Sequence, residues 1–356
     1  DALWENILTR SREILTRNNT EYTLYENILK SDIENFINYH NESRKNTKQI
    51  KDENDINLEE FISYLDLEEF LHLLGHKHWS SAGNRSQLLV RNYIARIIYE
   101  NQNKMTDSQK KLYDKFVRKL KPNDLVITFN YDTILEDALE RNSIPYIFYW
   151  NKLEKIYKDG SATIDLDSED IILHKMHGSI DWVSDKYFLT EGNLSVWNRE
   201  KDFFCPWCIL SEPYYPNNEL KHIFRISRLD DYSILNEPVC ESPFIISPSF
   251  HKIVYLNPLK ELWNGFIGNG QFSKRLIFVG FSLPRHDEYI RQPLYYLIKN
   301  FESGAKYEKR RISVVDYKTK PEDQLCFKDN YCFLNEQITD YYFDGFSEKV
   351  LESIFN

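Results

Sequence analysis

Apolar residues recur at three- and four-residue spacings through the first 120 positions, the stride of a helix that buries one face. Leu58, Phe61, Ile62 and Leu65, then Phe70, Leu71 and Leu74, form one such stripe, with Gly75 as its stop. Leu89, Tyr93, Ile94, Ile97 and Ile98 form a second, and Leu112, Tyr113, Phe116, Val117 and Leu120 a third. Before them, His40 to Asn57 is polar except for Ile50 and Ile56 and reads as a solvated loop. From residue 121 the period changes. Short apolar runs appear at Leu125 to Phe129, Tyr146 to Tyr149, Ile171 to Leu173, Phe244 to Ile246, Leu276 to Val279 and Ile312 to Val315. Each is too brief for a helix, and runs of this kind are what strands buried on both faces of a parallel sheet look like. Helical stripes alternate with them: Ile134, Leu135, Ala138 and Leu139; Ile290, Leu294, Leu297, Ile298 and Phe301; Phe346, Val350, Leu351, Ile354 and Phe355. The pattern predicts an α/β fold: a helical region over 1–120, an open sheet with flanking helices over 121–356, and an irregular, aromatic insertion at about 183–243.

Composition narrows the function classes. The 356 residues carry 45 basic and 55 acidic side chains, a net charge of −10, which argues against direct nucleic-acid binding as the main task. No apolar window is long enough to span a membrane, and no secretory leader is evident. Five cysteines with one close pair do not make a disulfide framework, so a reducing compartment, the cytoplasm, is expected. There are 11 glycines and the first is Gly75, so no glycine-rich phosphate loop lies in the amino-terminal fifth.

Ligands of open α/β sheets sit at the carboxyl ends of the strands, so the chemistry is sought just after each apolar run. The run from Leu125 exits into Thr128-Phe129-Asn130-Tyr131-Asp132-Thr133, where Thr133 with Glu136 reads as a capping box that leaves Asn130 and Asp132 in the connecting loop. On the plainer reading Asp132 itself caps the helix and Asn130 closes a turn. The run from Ile171 exits into His174-Lys175-Met176-His177-Gly178-Ser179-Ile180-Asp181-Trp182. His177 is the side chain suited to exchange a proton near neutral pH, Gly178 permits a close backbone approach, and His174 reads as structural. The run ending at Val279 exits into Gly280-Phe281-Ser282-Leu283-Pro284, whose N–H groups and hydroxyl suit phosphate or ribose oxygens. Asp316 comes directly after the last run and is placed to accept ribose hydroxyls, or simply to be solvated. Trp182 and Trp263 read as packing residues.

Taken in order, Thr-x-Asn-Tyr-Asp, Lys-x-His-Gly-Ser-x-Asp-Trp and Gly-x-Ser-Leu-Pro-x-x-Asp resemble the sirtuin-like NAD hydrolase domains of bacterial antiphage defence, over about residues 121 to 320. The resemblance implies a Rossmann-like fold that takes NAD as substrate and cleaves the bond between nicotinamide and ribose. It implies Asn130, Asp132 and His177 as catalytic residues, with Thr128, Gly178, Gly280, Ser282 and Asp316 contacting the nucleotide. Phe129 stands where deacetylase sirtuins carry glutamine, which favours hydrolysis. The family opens with a glycine-rich loop, so some tens of residues are expected to precede Asp1. Cys205-Pro206-Trp207-Cys208 is half of a zinc site, with Cys240 and His222 as the available further ligands and ordinary buried cysteines as the favoured alternative. The implied role is NAD depletion in an infected cell, held in check by homo-oligomerisation or by a partner ATPase, Argonaute-type or sensor protein. The alternative is a non-catalytic module binding NAD or ADP-ribose, or a scaffold subunit of a defence complex.

Overall fold

The computed structural model describes residues 2–15, 20–44, 48–71, 73, 79–80, 83–149, 153–156, 162–164, 170–184, 223–225, 243–246, 248–250, 263, 265–283, 287–303 and 310–355. Four helices form the amino-terminal layer: α1 (Ala2–Leu15), α2 (Thr20–Ser43), α3 (Leu58–Leu71) and α4 (Arg85–Gln102). Trp4, Ile7 and Leu8 of α1, Leu29, Ile33 and Phe36 of α2, Phe61, Ile62 and Leu65 of α3, and Leu89, Tyr93 and Ile94 of α4 meet in one core. Each set keeps the three-and-four stride, so the helices exist because their apolar faces are satisfied by one another. The stretch expected as a solvated loop departs from that expectation. The α2 helix runs on to Ser43, and Ile50 and Ile56 are both buried in the same core. The Asn41 amide brackets Ile50, donating to its carbonyl at 2.8 Å and accepting from its N–H at 2.9 Å. Two isolated isoleucines have no period to read, yet each buries a full side chain.

The α4 helix is buried nearly all round and carries polar residues inward. Ser86 bonds Asp32, Gln87 bonds Asp66, and Asp66 also accepts from Ser249. Phe250 N–H donates to Ser63 at 2.8 Å. Ser249 and Phe250 are therefore bolted to α3, whose Asp66 is tied in turn to α4.

After α5 (Asp107–Val117), which opens on a Thr106–Gln109 capping box, come β1 (Leu125–Thr128), α6 (Ile134–Arg141), β2 (Tyr146–Phe148) and β3 (Ile171–Lys175). Further along are β4 (Arg275–Val279), α7 (Glu288–Ser303), β5 (Arg311–Val315), α8 (Pro321–Asn330), β6 (Thr339–Tyr342) and α9 (Glu348–Phe355). The result is α/β, with parallel strands flanked by helices. β3 lies between β1 and β2, and β5 lies between β4 and β6, every pair parallel. Among the described residues no backbone hydrogen bond joins these two half-sheets. Side chains do so instead: Ile127, Phe129 and Phe148 of the first pack into one cluster with Phe278, Phe281, Ile290 and Leu294 of the second.

Five of the six expected strands form. The sixth, Phe244 to Ile246, makes only an isolated antiparallel bridge between Ile245 and Gly178. Its partner is the turn after β3, where the backbone bends away and no ladder can propagate. Conversely, β6 and α8 lack the apolar pattern that would announce them. β6 reads Thr-Asp-Tyr-Tyr on a half-buried edge, and α8 buries Phe327 alone. Of the insertion, Trp182–Ser184 pairs antiparallel with Ile223–Arg225. Cys205 and Cys208, with Cys240 and His222, lie outside the described residues.

Candidate functional site

β1 and β3 are adjacent and parallel, with Thr128 opposite Lys175, so the two loops leaving them run side by side. The ladder extends one step further, Met176 N–H donating to the Thr128 carbonyl at 2.9 Å. Thr128 also turns the chain: its hydroxyl accepts from Asn130 N–H at 3.0 Å. Asn130 itself is exposed, whereas Tyr131 and Asp132 are each fastened twice. The Tyr131 carbonyl accepts from Ile180 N–H at 3.0 Å, and its phenol donates to the Ile246 carbonyl at 2.5 Å. The Asp132 carboxylate accepts from Ile134 N–H at 3.1 Å, and the Asp132 carbonyl accepts from the Lys175 ammonium at 2.5 Å.

The helix begins at the expected place, but not by the expected capping box. The Thr133 hydroxyl accepts from the Gln102 amide at 2.8 Å and makes no cap bond, while Glu136 turns to Lys175 at 2.7 Å. The reason is electrostatic. Lys175 ends a strand in which every residue is buried, and a buried ammonium without a carboxylate is far too costly. Burial pushes the Glu136 carboxyl above its usual range, and the Lys175 charge works against that rise. Burial also raises the Tyr131 phenol, helped by the charges of Glu59 and Asp287 and opposed by Arg91, so it stays protonated and donating.

His177 lies beside this loop, 6% exposed. Its imidazole contacts the ring of Phe129 at 5.1 Å and that of Tyr131 at 6.1 Å between centroids, so both chain neighbours of Asn130 touch it. Its carbonyl accepts from Ile246 N–H at 2.8 Å. A third ring, Tyr289 of α7, lies end-on to the imidazole with centroids 5.8 Å apart and planes within 20°, and its hydroxyl is hydrogen-bonded to Nε2. Gly178 has φ +81°, and a Cβ there would stand 2.0 Å from the Phe244 carbonyl oxygen. The close approach it permits is thus to the chain's own backbone. His174 is fully buried and stacks on Tyr149 at 4.1 Å, in keeping with a structural residue.

The second half-sheet supplies the facing turn. Gly280 has φ +64°, and no described atom lies within 4 Å of where its Cβ would be, so the space in front of it is open. Its N–H, expected as a ligand donor, is instead given to the Val315 carbonyl at 2.9 Å, because the β4–β5 ladder continues through it. Ser282 is exposed, and its carbonyl is held by the Asn330 amide at 3.0 Å. Leu283, buried, carries φ +45°, an uncommon strain for a branched residue in a ligand-side turn. Asp316 ends β5 as expected, but its carboxylate is engaged locally by Tyr317 N–H at 2.6 Å and by Lys318 at 3.1 Å. Phe281 stacks on Phe129 at 4.9 Å and 22°, joining the two banks of the site.

Three residues of this arrangement escape sequence reasoning. Lys175 and Glu136 carry a usable signal, since a lysine closing an apolar strand demands a partner. Tyr289 carries none, being 112 positions from His177. Among the described residues no group of three His, Cys, Asp or Glu side chains could hold a metal, and none of the helices is long and apolar enough to cross a membrane.

Compared with known proteins, residues 124–235 match the family model of the SIR2-like domain, a stretch covering β1, the Asn130 loop and His177 but less than half of the chain. That match points to an NAD-related function. No curated protein matches the chain.

Proposed function

We propose that this chain, which carries a SIR2-like domain over residues 124–235, is an NAD glycohydrolase: NAD and water give ADP-ribose, nicotinamide and a proton. The observation that carries this reading is the fastened loop, which sets Asn130 at the open carboxyl edge between two aromatic residues that both contact His177. The facing turn fits a dinucleotide through the open space before Gly280 and the exposed Ser282 hydroxyl.

Nicotinamide leaves a cationic ring as a neutral molecule, so the departure needs no acid. The demand is to stabilise an oxocarbenium-like sugar and to present water to it. Asn130 holds a ribose hydroxyl or that water through its amide, carried on a backbone that Thr128 and Tyr131 hold in place. The Asp132 carboxylate, at the mouth of α6, balances the positive charge that develops on the sugar. His177 receives the proton released on the way to product. Phe129 adds an apolar wall where a polar residue would favour other acceptors than water.

By the same resemblance the physiological role is NAD depletion in antiphage defence in the cytoplasm, restrained through self-association or a partner protein. Release of nicotinamide from NAD, measured for the full chain alone and with a candidate partner, tests the activity. Asn130→Ala and His177→Ala are each expected to cut release by roughly 10²- to 10⁴-fold with the fold intact. Release unaltered by both substitutions overturns the site. NAD binding without turnover would establish the non-catalytic binding module instead.

A further inference from the structure

We infer that Tyr289 is a working member of this site, the group through which protons reach His177. The inference rests on the hydrolase reading for its substrate, but its geometry stands independently. Tyr289 lies in the first turn of α7, on the half-sheet opposite to the one that carries His177. Its hydroxyl is bonded to Nε2 with the two rings end to end and their planes within 20° of each other, so one side chain holds one nitrogen of the histidine along a near-coplanar axis. Trp263 holds the phenol ring from another direction, at 5.6 Å and 68°. A residue needed only to fill space would call for the ring without the hydroxyl.

The sense of the bond is set by acidity. A phenol O–H, with an ordinary pKa of about 10, is a far better donor than a neutral imidazole N–H, and the imidazole lone pair is the better acceptor. Tyr289 therefore donates to Nε2, and the ring proton of neutral His177 sits on Nδ1. A lone pair so occupied cannot take a proton directly from a sugar hydroxyl or a water. It takes one by relay. The substrate O–H bond breaks as a new bond forms to the phenol oxygen, while the original phenol proton passes to Nε2. The products are an alkoxide or hydroxide, an imidazolium and an unchanged tyrosine, so charge and protons balance.

Among the described residues, the charged and titratable groups around the pair come from the loop after β1, the position before α7, and helices α3 and α4. Tyr131 faces the imidazole from the loop after β1, and Asp287 immediately precedes α7. Glu59 of α3 and Arg91 of α4 act on Tyr131 behind them. The Tyr289→Phe variant leaves all of these in place, along with the packing of the ring against Trp263.

The experiment compares the full chain with Tyr289→Phe by two readouts. The first is the ¹⁵N NMR titration of the His177 side chain, assigned by its loss in His177→Ala. A donor on Nε2 favours neutral imidazole, so Tyr289→Phe should raise the His177 pKa and release the Nδ1–H tautomer preference. The second is nicotinamide release against pH. The variant should lose at least about tenfold in kcat, the equivalent of one hydrogen bond, with KM little changed and the ascending limb moved upward with the NMR value. An unchanged tautomer and titration overturn the inference whether or not the chain turns over NAD. A chain that shows the NMR change but releases no nicotinamide supports the Tyr289–His177 pairing and overturns the hydrolase reading alone.

Discussion

Consider replacing Lys175 by methionine, which keeps the apolar stem out to Cε and removes the charged end. The ammonium and the Glu136 carboxylate it meets at 2.7 Å are 0% and 1% exposed. Breaking a buried pair from one side costs about 3–5 kcal/mol, because the surviving charge has no water to turn to. Loss of the bond to the Asp132 carbonyl adds about 1 kcal/mol. The carboxylate has one escape, which is to take up a proton. Burial already pushes Glu136 in that direction, so the penalty should shrink on acidification by up to about 1.4 kcal/mol per pH unit. Urea midpoints read from tryptophan fluorescence at pH 8 and pH 5.5 should therefore show a large deficit and a smaller one. Removing both charges, in Lys175→Met with Glu136→Leu, should return stability to within about 2 kcal/mol of the parent or above it, since a packed apolar pair replaces a desolvated ionic one. The Asn130 loop would still lack its clamp, so nicotinamide release should stay depressed in the double variant while stability recovers. A single variant within about 1 kcal/mol of the parent at pH 8, or a double variant no better than the single, would refute the account of Lys175 as both buried partner and loop fastener.

The two positive-φ glycines of the site should behave differently. Gly178→Ala drives a methyl group into the Phe244 carbonyl and should unfold or misplace the His177 turn, whereas Gly280→Ala meets open space and should cost only about 1–2 kcal/mol of backbone strain; comparative urea melts decide. Burial, with the nearby Asp32 charge, raises Glu68 to about 7 from 4.5, against the Tyr64 hydrogen bond that lowers it. A raised carboxyl contributes stability that is complete below pH 4.5 and lost as pH climbs through about 7, so Glu68→Gln should match the parent at low pH and exceed it at pH 8. A gap between the two that does not widen with pH counts against this. Ser249→Ala removes hydrogen bonds to Asp66 and Ser63 from a buried network and should cost about 1–3 kcal/mol in the same melts.

How much of this could be read from the sequence depends on how each feature advertises itself. Strands β1 to β5 stand out because they are apolar on both faces. β6 is half-buried at an edge and carries Thr339 and Asp340, so its sequence resembles a loop. Asn130, Asp132 and His177 could be nominated from their places after strands, and the structure puts the first and third on neighbouring loops. What hid was the traffic between distant segments. Tyr289 reaches His177 only because α7 packs across from β3, and the Gly280 N–H is spent on Val315 only because two strands happen to be neighbours. Thr133 and Glu136 fit a capping box in one dimension, yet Gln102 and Lys175 compete for them in three. Local patterns report local bonds, and burial decides which of them survive.

The seam between the half-sheets is made of rings in place of peptide hydrogen bonds. Aromatic contacts weaken gradually as surfaces slide, whereas ladder bonds fail over a short displacement. Asn130 and His177 stand on one bank of that seam, Gly280, Ser282 and Tyr289 on the other. The gap that an elongated molecule must bridge is thus set by a joint with some give. Any compound gripping both banks would act as a rivet, raising the melting temperature of the whole chain more than its contact area on either side would suggest.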